Sequence, residues 1–107
     1  MLRRTLLAVL LLAANAAWAD TVAVIGTGNV GMALGTEFSG LGHTVIYGSR
    51  TPDAEKTQAL VAKTKNASAA SPPAAAAAAD VVVLATPGMV TERVVKGLGD
   101  LSGKIII

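Results

Sequence analysis

The sequence predicts an α/β fold in which a doubly wound parallel sheet is covered by helices on both faces. Short aliphatic runs alternate with segments of helical spacing along residues 21–107, which is typical of βαβ units. The strand-like runs are continuously apolar, as in strands that are buried on both faces. The chain has one Trp, one Tyr and one Phe among 107 residues, so we expect a core of Val, Ile, Leu, Met and Ala.

The first half of the pattern contains two strands and two helices. Residues 21–25 are a short β-branched and apolar run that ends in glycine, which predicts a strand. Apolar residues at near-helical spacing follow over 28–41, and Gly-Leu-Gly at 40–42 ends that helix. "TVIYG" at 44–48 predicts the second strand, and Pro52 opens a second helix that runs to about Lys65.

The second half repeats the alternation. "NASAAS" at 66–71 predicts a short third strand at a sheet edge. Ser71, two prolines and six alanines then predict a capped short helix, with an Ala/Pro-rich linker as the alternative. Residues 80–85 predict a buried strand, 89–98 a helix, and 103–107 the start of another strand. Because the chain stops in this aliphatic run, we expect an incomplete fold, the N-terminal part of a longer protein.

Composition excludes several classes of function. The formal charge is +2, from nine basic and seven acidic residues, and Arg3 and Arg4 of the leader account for the excess. No basic patch interleaved with aromatic residues is present, so we expect no nucleic-acid partner. The absence of cysteine excludes disulfides, thiolate catalysis and thiolate metal sites, and we predict no metal site.

Residues 1–19 have the three parts of a secretory signal peptide. Two arginines precede an apolar run, and Ala17-Trp18-Ala19 predicts cleavage before Asp20. The run is shorter than the ~20 residues that span a bilayer, so we expect no stable membrane span after cleavage. We expect an exported, periplasmic protein; the alternatives are an uncleaved anchor, or a mis-assigned start and a cytoplasmic protein. "RRTLL" loosely resembles a twin-arginine signal.

The glycine-rich turn at 26–31 is the strongest motif. Its pattern is G-x-G-x-x-G, between a predicted strand and a predicted helix, which is the context of a dinucleotide-binding Rossmann fold. Gly26 permits the tight turn, Gly28 lets the backbone approach a pyrophosphate, and Gly31 lets the helix pack against the strand. Gly35, one helical turn later, relieves crowding between helix and sheet. The alternative is a tight turn that binds no ligand.

The end of the second strand indicates which dinucleotide binds. NAD-binding folds place Asp or Glu here, about 20 residues after the glycines, to bind the ribose 2′-hydroxyl. This chain has Ser49, Arg50 and Thr51 instead. A guanidinium attracts a 2′-phosphate, and two hydroxyls can donate hydrogen bonds to it. We therefore predict NADP as the cofactor, with Lys56 as an added charge; the alternative is that Arg50 is a solvated turn residue.

Two other features are less specific. Thr86 and Pro87 follow the strand at 80–85, where a doubly wound sheet opens its crevice, and could line the nicotinamide-ribose region. An ordinary strand-ending turn favours the same residue types. His43 has no acid or second ligand near it in the sequence, so we interpret it as a loop residue. The sequence assigns no catalytic residue.

These motifs resemble the N-terminal domain of the deazaflavin (coenzyme F420)-dependent NADP oxidoreductases, whose fold is shared with the pyrroline-5-carboxylate reductases. The resemblance is carried by "VAVIGTGNVGMALG", "LGHTVIYGSR", "ADVVVLATP" and "LSGKIII". It implies that Thr27, Gly28, Asn29 and Val30 hold the pyrophosphate and that Ser49 and Arg50 hold the 2′-phosphate. It also implies hydride transfer between the nicotinamide and a stacked deazaflavin or flavin-like acceptor, with the protein positioning the rings.

Two function hypotheses follow. The first is an NADP-dependent oxidoreductase whose partner is a small-molecule or second-cofactor hydride acceptor; members of the family often dimerise through the part that follows. The second is a noncatalytic NADP-binding regulatory or redox-sensing module, because no acid–base pair is recognisable. A truncated product without function is a third interpretation. The predicted organisation is a signal peptide at 1–19 and a truncated NAD(P)-binding Rossmann domain at 20–107.

Overall fold

The computed structural model describes residues 20–107, and the signal-peptide prediction lies outside them. Within these residues five strands alternate with four helices. The strands are β1 (Thr21–Ile25), β2 (Thr44–Gly48), β3 (Ala67–Ala70), β4 (Val81–Leu84) and β5 (Ile105–Ile106). The helices are α1 (Asn29–Gly40), α2 (Glu55–Lys63), α3 (Pro72–Ala78) and α4 (Gly88–Lys96).

All strands lie parallel in one sheet, in the order β3-β2-β1-β4-β5. This order confirms the prediction of a Rossmann-type doubly wound sheet. The chain builds outward from β1 to β3 and then crosses to β4 on the other side of β1. Because the direction of winding reverses there, a crevice opens at the carboxyl ends of β1 and β4.

Helices cover both faces of the sheet, and each face has its own apolar core. On one face Val22, Val24 and Tyr47 are buried against α1 and α2. On the other face Ala23 and Ile25 are buried against α3 and α4. Successive residues of β1 therefore enter different cores, which explains why its sequence is apolar throughout.

The short alanine-rich segment forms a helix, so the linker alternative is wrong. The Ser71 hydroxyl accepts a hydrogen bond from the Ala74 N–H at 3.4 Å, and two prolines occupy the first turn. Ala75 and Ala76 are fully buried against the sheet. Alanine suits this position because it lets the helix lie close to the strands.

The remaining differences from prediction are confined to element ends. Helix α2 begins at Glu55 rather than beside Pro52, because residues 51–54 form a turn. The last strand is shorter than predicted, since Gly103 turns the chain with a φ of 76° before Ile105 pairs with Val81. No helix within residues 20–107 has the length and hydropathy needed to cross a membrane.

Candidate functional site

A cleft of about 610 Å³ lies at the carboxyl ends of β1, β2 and β4, where the topology predicts a crevice. We call it the strand-end cleft. Among the residues that line it are seven that the sequence had nominated: Gly26, Thr27, Ser49, Arg50, Thr51, Thr86 and Pro87. The structure thus brings three segments together that are as much as 61 residues apart (Gly26 to Pro87).

Gly26 has a conformation and an environment that require glycine. Its φ is +115°, in the region that L side chains rarely adopt. A Cβ atom there would lie 2.7 Å from the carbonyl oxygen of Ala85. Its N–H donates to the carbonyl oxygen of Gly48 at 3.1 Å, which ties the turn to the end of β2.

The other two glycines of the motif differ in what surrounds them. A Cβ on Gly31 would collide with the carbonyl group of Gly26, so this position is required by packing within the turn. A Cβ on Gly28 would meet no protein atom within 4 Å, and its φ is −77°. The fold therefore gives no packing reason for glycine at position 28, whereas an open approach to a bound pyrophosphate does.

Helix α1 begins directly after the turn. The N–H of Met32 donates to the carbonyl oxygen of Gly28 at 2.9 Å, the first bond of the helix. The N–H groups of Asn29, Val30 and Gly31 precede it and have no intrahelical partner. These three residues and Gly28 do not line the strand-end cleft, but the helix end that they form is where a phosphate binds favourably.

Hydroxyl groups organise the end of β2. The Ser49 hydroxyl is buried and accepts a hydrogen bond from the Thr51 N–H at 3.1 Å. Thr57 of α2 donates to the Thr51 carbonyl oxygen at 3.1 Å, and its Oγ1 lies 3.5 Å from the Oγ of Ser49. This network fixes the loop that carries Arg50. Thr57 was not predicted from the sequence, because its role depends on a hydrogen bond across the turn at 51–54.

The electrostatics of the strand-end cleft favour an anion. Arg50 and Arg93 are its charged residues, and no carboxylate lines it. The ion pair found within residues 20–107 joins Lys96 to Glu92 at 3.1 Å and involves neither arginine. Two cations with hydroxyls beside them and no competing acid fit a phosphate-bearing ligand. Lys56, the other predicted cation, is exposed on α2 and does not line the cleft.

The two less specific sequence features, Thr86-Pro87 and His43, lie at opposite ends of the sheet. Thr86 and Pro87 line the strand-end cleft, and the Thr86 Oγ1 lies 3.0 Å from the Oγ1 of Thr91 in α4. His43 lies at the opposite end of the sheet, just before β2. Its Nδ1 accepts a hydrogen bond from the Asp20 N–H at 3.0 Å, and its ring packs edge-on against Phe38. This placement agrees with its interpretation as a loop residue.

One wall of the cleft was not anticipated from the sequence. Val90, Arg93 and Val94 of α4 line it, together with Pro72 at the start of α3. The helix itself was predicted, but apolar residues at helical spacing do not show whether they face a core or a cleft. No group of His, Cys, Asp and Glu suited to holding a metal ion occurs among the described residues.

Comparisons with known proteins bear on the family and the fold of the chain. Residues 21–107 match the family model described as NADP oxidoreductase, coenzyme F420-dependent. A protein from Arthrobacter sp. FB24 that is assigned as an F420-dependent NADP reductase has a similar structure, with 30% identity and a TM-score of 0.74 over 82% of this chain. No curated protein matches the chain.

Two further solved structures are also similar to this chain. An imine reductase from Pseudomonas sp. is 28% identical with a TM-score of 0.68. A reductive aminase from Aspergillus terreus, in complex with NADPH and ethyl-5-oxohexanoate, is 29% identical with a TM-score of 0.64. Each comparison covers 82% of this chain. The chain spans 43% of the Arthrobacter protein, 31% of the imine reductase and 30% of the aminase.

Proposed function

The chain belongs to the coenzyme F420-dependent NADP oxidoreductase family, and from this premise we propose that it is the cofactor-binding part of an enzyme that transfers hydride between NADPH and a deazaflavin or flavin-like acceptor. The observation that carries the proposal is the end of β2, where Ser49, Arg50 and Thr51 line a cleft without carboxylates. That donor set matches a ribose 2′-phosphate and lacks the acid that NAD-binding folds use.

Each part of the cofactor has proposed partners. The pyrophosphate lies against Thr27 and Gly28 and the N–H groups of Asn29 and Val30, at the start of α1. Support comes from the open space at Gly28 and from the free N–H groups of that helix end. The 2′-phosphate lies against the loop that Thr51 closes through its hydrogen bond to Ser49.

The remaining predicted contacts concern the reactive end of the cofactor. Thr86 and Pro87 would border the nicotinamide ribose, because they follow β4 on the far side of the glycine turn from β2. Bound NADPH supplies the hydride. The residues of this chain hold its phosphates and so fix where the nicotinamide lies relative to the acceptor.

The family description supports a deazaflavin or flavin-like acceptor. Hydride transfer between two stacked rings depends mainly on how the protein positions them.

The acceptor can be tested with the protein expressed at the natural length of its gene. Oxidation of NADPH and of NADH is followed at 340 nm with a deazaflavin, a flavin and a cyclic imine as acceptors. We expect turnover with NADPH and the deazaflavin or flavin, and little with NADH. Turnover with the imine alone contradicts the acceptor proposal. NADPH binding without turnover on any acceptor favours the noncatalytic module.

We also retain export as part of the proposal. Asp20, the first residue after the A-x-A site, already takes part in the fold: its carbonyl oxygen accepts from the Thr44 N–H at 3.2 Å. Cleavage before it would therefore leave the sheet intact. A cofactor bound in the cytoplasm would have to leave with the folded protein, which the twin-arginine route allows.

The export route has its own test. Arg3→Lys with Arg4→Lys should stop export through the twin-arginine route, as measured by cell fractionation. Normal export of this double variant would indicate the general secretory route, and a wild-type protein found only in the cytoplasm would contradict export.

A further inference from the structure

Helix α4 presents a defined stripe of residues to the strand-end cleft. Val90, Arg93 and Val94 all line it, at positions i, i+3 and i+4, which lie on one face of a helix. Arg93 is thus flanked by two aliphatic side chains on the same wall. None of these residues is fully buried, so the stripe is available to a ligand.

The charges on α4 leave Arg93 available as well. The acid on this helix, Glu92, is paired with Lys96 one turn later at 3.1 Å. Glu92 and Arg93 are adjacent in the chain and so point to different sides of the helix. Among the described residues, no ion pair engages Arg93.

The location of this wall indicates which part of a dinucleotide would meet it. Val94 and Ile25 belong to the core between the sheet and α3/α4, whereas α1 packs on the opposite face. Residues of α3 and α4 therefore form a wall of the strand-end cleft on the face of the sheet away from α1, where the pyrophosphate is proposed to lie. With the 2′-phosphate at the end of β2, the adenine ring on the same ribose is the part of the ligand that reaches this wall.

The cleft offers that ring a suitable environment. Pro72, Val90 and Val94 give it apolar surfaces, while the hydroxyl groups of Ser49 and Thr51 lie toward the end of β2. A planar guanidinium beside apolar surfaces suits stacking on a purine, where Lys would provide only a point charge.

We propose that Arg93 stacks on the adenine ring and sets the affinity for both NADP(H) and NAD(H), while Arg50 discriminates between them. The inference rests on the proposed NADP-binding function and assigns a different role to each of the two arginines. Arg93 then acts on the part that both dinucleotides share, and Arg50 on the 2′-phosphate that only one of them carries.

The test measures dissociation constants of NADP⁺ and NAD⁺ by calorimetry, with the natural-length protein, for the wild type and three variants. Arg93→Met keeps an apolar stem and removes the guanidinium. Arg93→Lys keeps the positive charge but lacks the planar guanidinium group. Lys96→Gln is the matched control, because it removes a positive charge from the same helix outside the cleft. Circular dichroism and urea unfolding establish that each variant is folded.

We expect Arg93→Met to weaken both ligands by the same factor, roughly 3- to 30-fold, as for loss of an arginine–ring contact. Arg93→Lys should lose most of this affinity, and Lys96→Gln almost none. A loss confined to NADP⁺ would show that Arg93 acts on the 2′-phosphate, and full recovery with Lys would show that it acts through its charge alone; either result would overturn the proposal. Wild-type affinity in both variants would also overturn it. Failure of the wild type to bind either dinucleotide would instead reject the proposed function.

Discussion

Substitutions of the glycines at the start of α1 (Asn29–Gly40) should show which glycine is required for stability and which for ligand binding. Gly31→Ala places a methyl group against the carbonyl group of Gly26, a backbone atom that cannot rotate away. Gly28→Ala places the same group in open space, with a φ of −77° that alanine adopts readily. Gly40→Ala, at the other end of the same helix, also meets nothing within 4 Å.

The free energies of unfolding should therefore differ. Overpacking against backbone in Gly31→Ala should cost about 1–3 kcal/mol. Gly28→Ala should stay within about 1 kcal/mol of the wild type, because a poorer N-cap is offset by a less flexible unfolded chain. Gly40→Ala, the control for an added methyl group, should gain at most about 0.5–1 kcal/mol, because Gly40 is the last residue of α1 and this figure is for the middle of a helix.

For NADP⁺ binding, in contrast to folding, Gly28→Ala should have a large effect. With NADP⁺ at 100 times its dissociation constant, the wild type should gain about 2.7 kcal/mol in urea unfolding. A 100-fold loss of affinity in Gly28→Ala would reduce this gain at the same concentration to about 0.4 kcal/mol. Wild-type NADP⁺ stabilisation in Gly28→Ala would refute the assignment of this space to the pyrophosphate. Wild-type stability of Gly31→Ala would refute the packing argument.

Two further substitutions test the packing that supports the site. Gly35→Ala should lower the free energy of unfolding by about 1–3 kcal/mol, because its methyl group would collide with the buried Tyr47 ring. The ring is held in place by its hydroxyl, which lies 2.9 Å from Thr64 Oγ1. Unchanged urea unfolding would contradict the close approach of helix and strand. Ala75→Leu should cost a similar amount, since Ala75 is fully buried between α3 and the sheet, whereas Ala78→Leu on the exposed face should change stability by less than about 0.5 kcal/mol. Equal effects at the two alanines would contradict that packing.

The sequence predicted the sheet well because its strands are buried on both faces. Each strand is a short aliphatic run between turn residues, so its position could be read without knowing the topology. The alanine-rich helix was predictable from its cap and prolines for the same local reason. The start of α2 was placed too early, since Pro52 belongs to the turn that precedes the helix.

Some site residues could be predicted from the sequence and others could not, for a physical reason. The glycine turn and the loop at Ser49–Thr51 carry their signals locally, in backbone conformation and side-chain chemistry. Thr57 and Arg93 act across the fold, one through a hydrogen bond to the Thr51 carbonyl oxygen and one by forming the far wall of the strand-end cleft. On the sequence alone, each is an ordinary polar residue on a helix.

The central claim is that Arg50 recognises a 2′-phosphate, and paired dissociation constants for NADP⁺ and NAD⁺ test it most directly. A charge-assisted contact contributes about 1.5–3 kcal/mol, so the wild type should bind NADP⁺ roughly 10- to 150-fold more tightly. In Arg50→Gln this ratio should fall toward one, through loss of NADP⁺ affinity with NAD⁺ affinity nearly unchanged. Equal wild-type affinities, or a ratio that survives in Arg50→Gln, would contradict the claim.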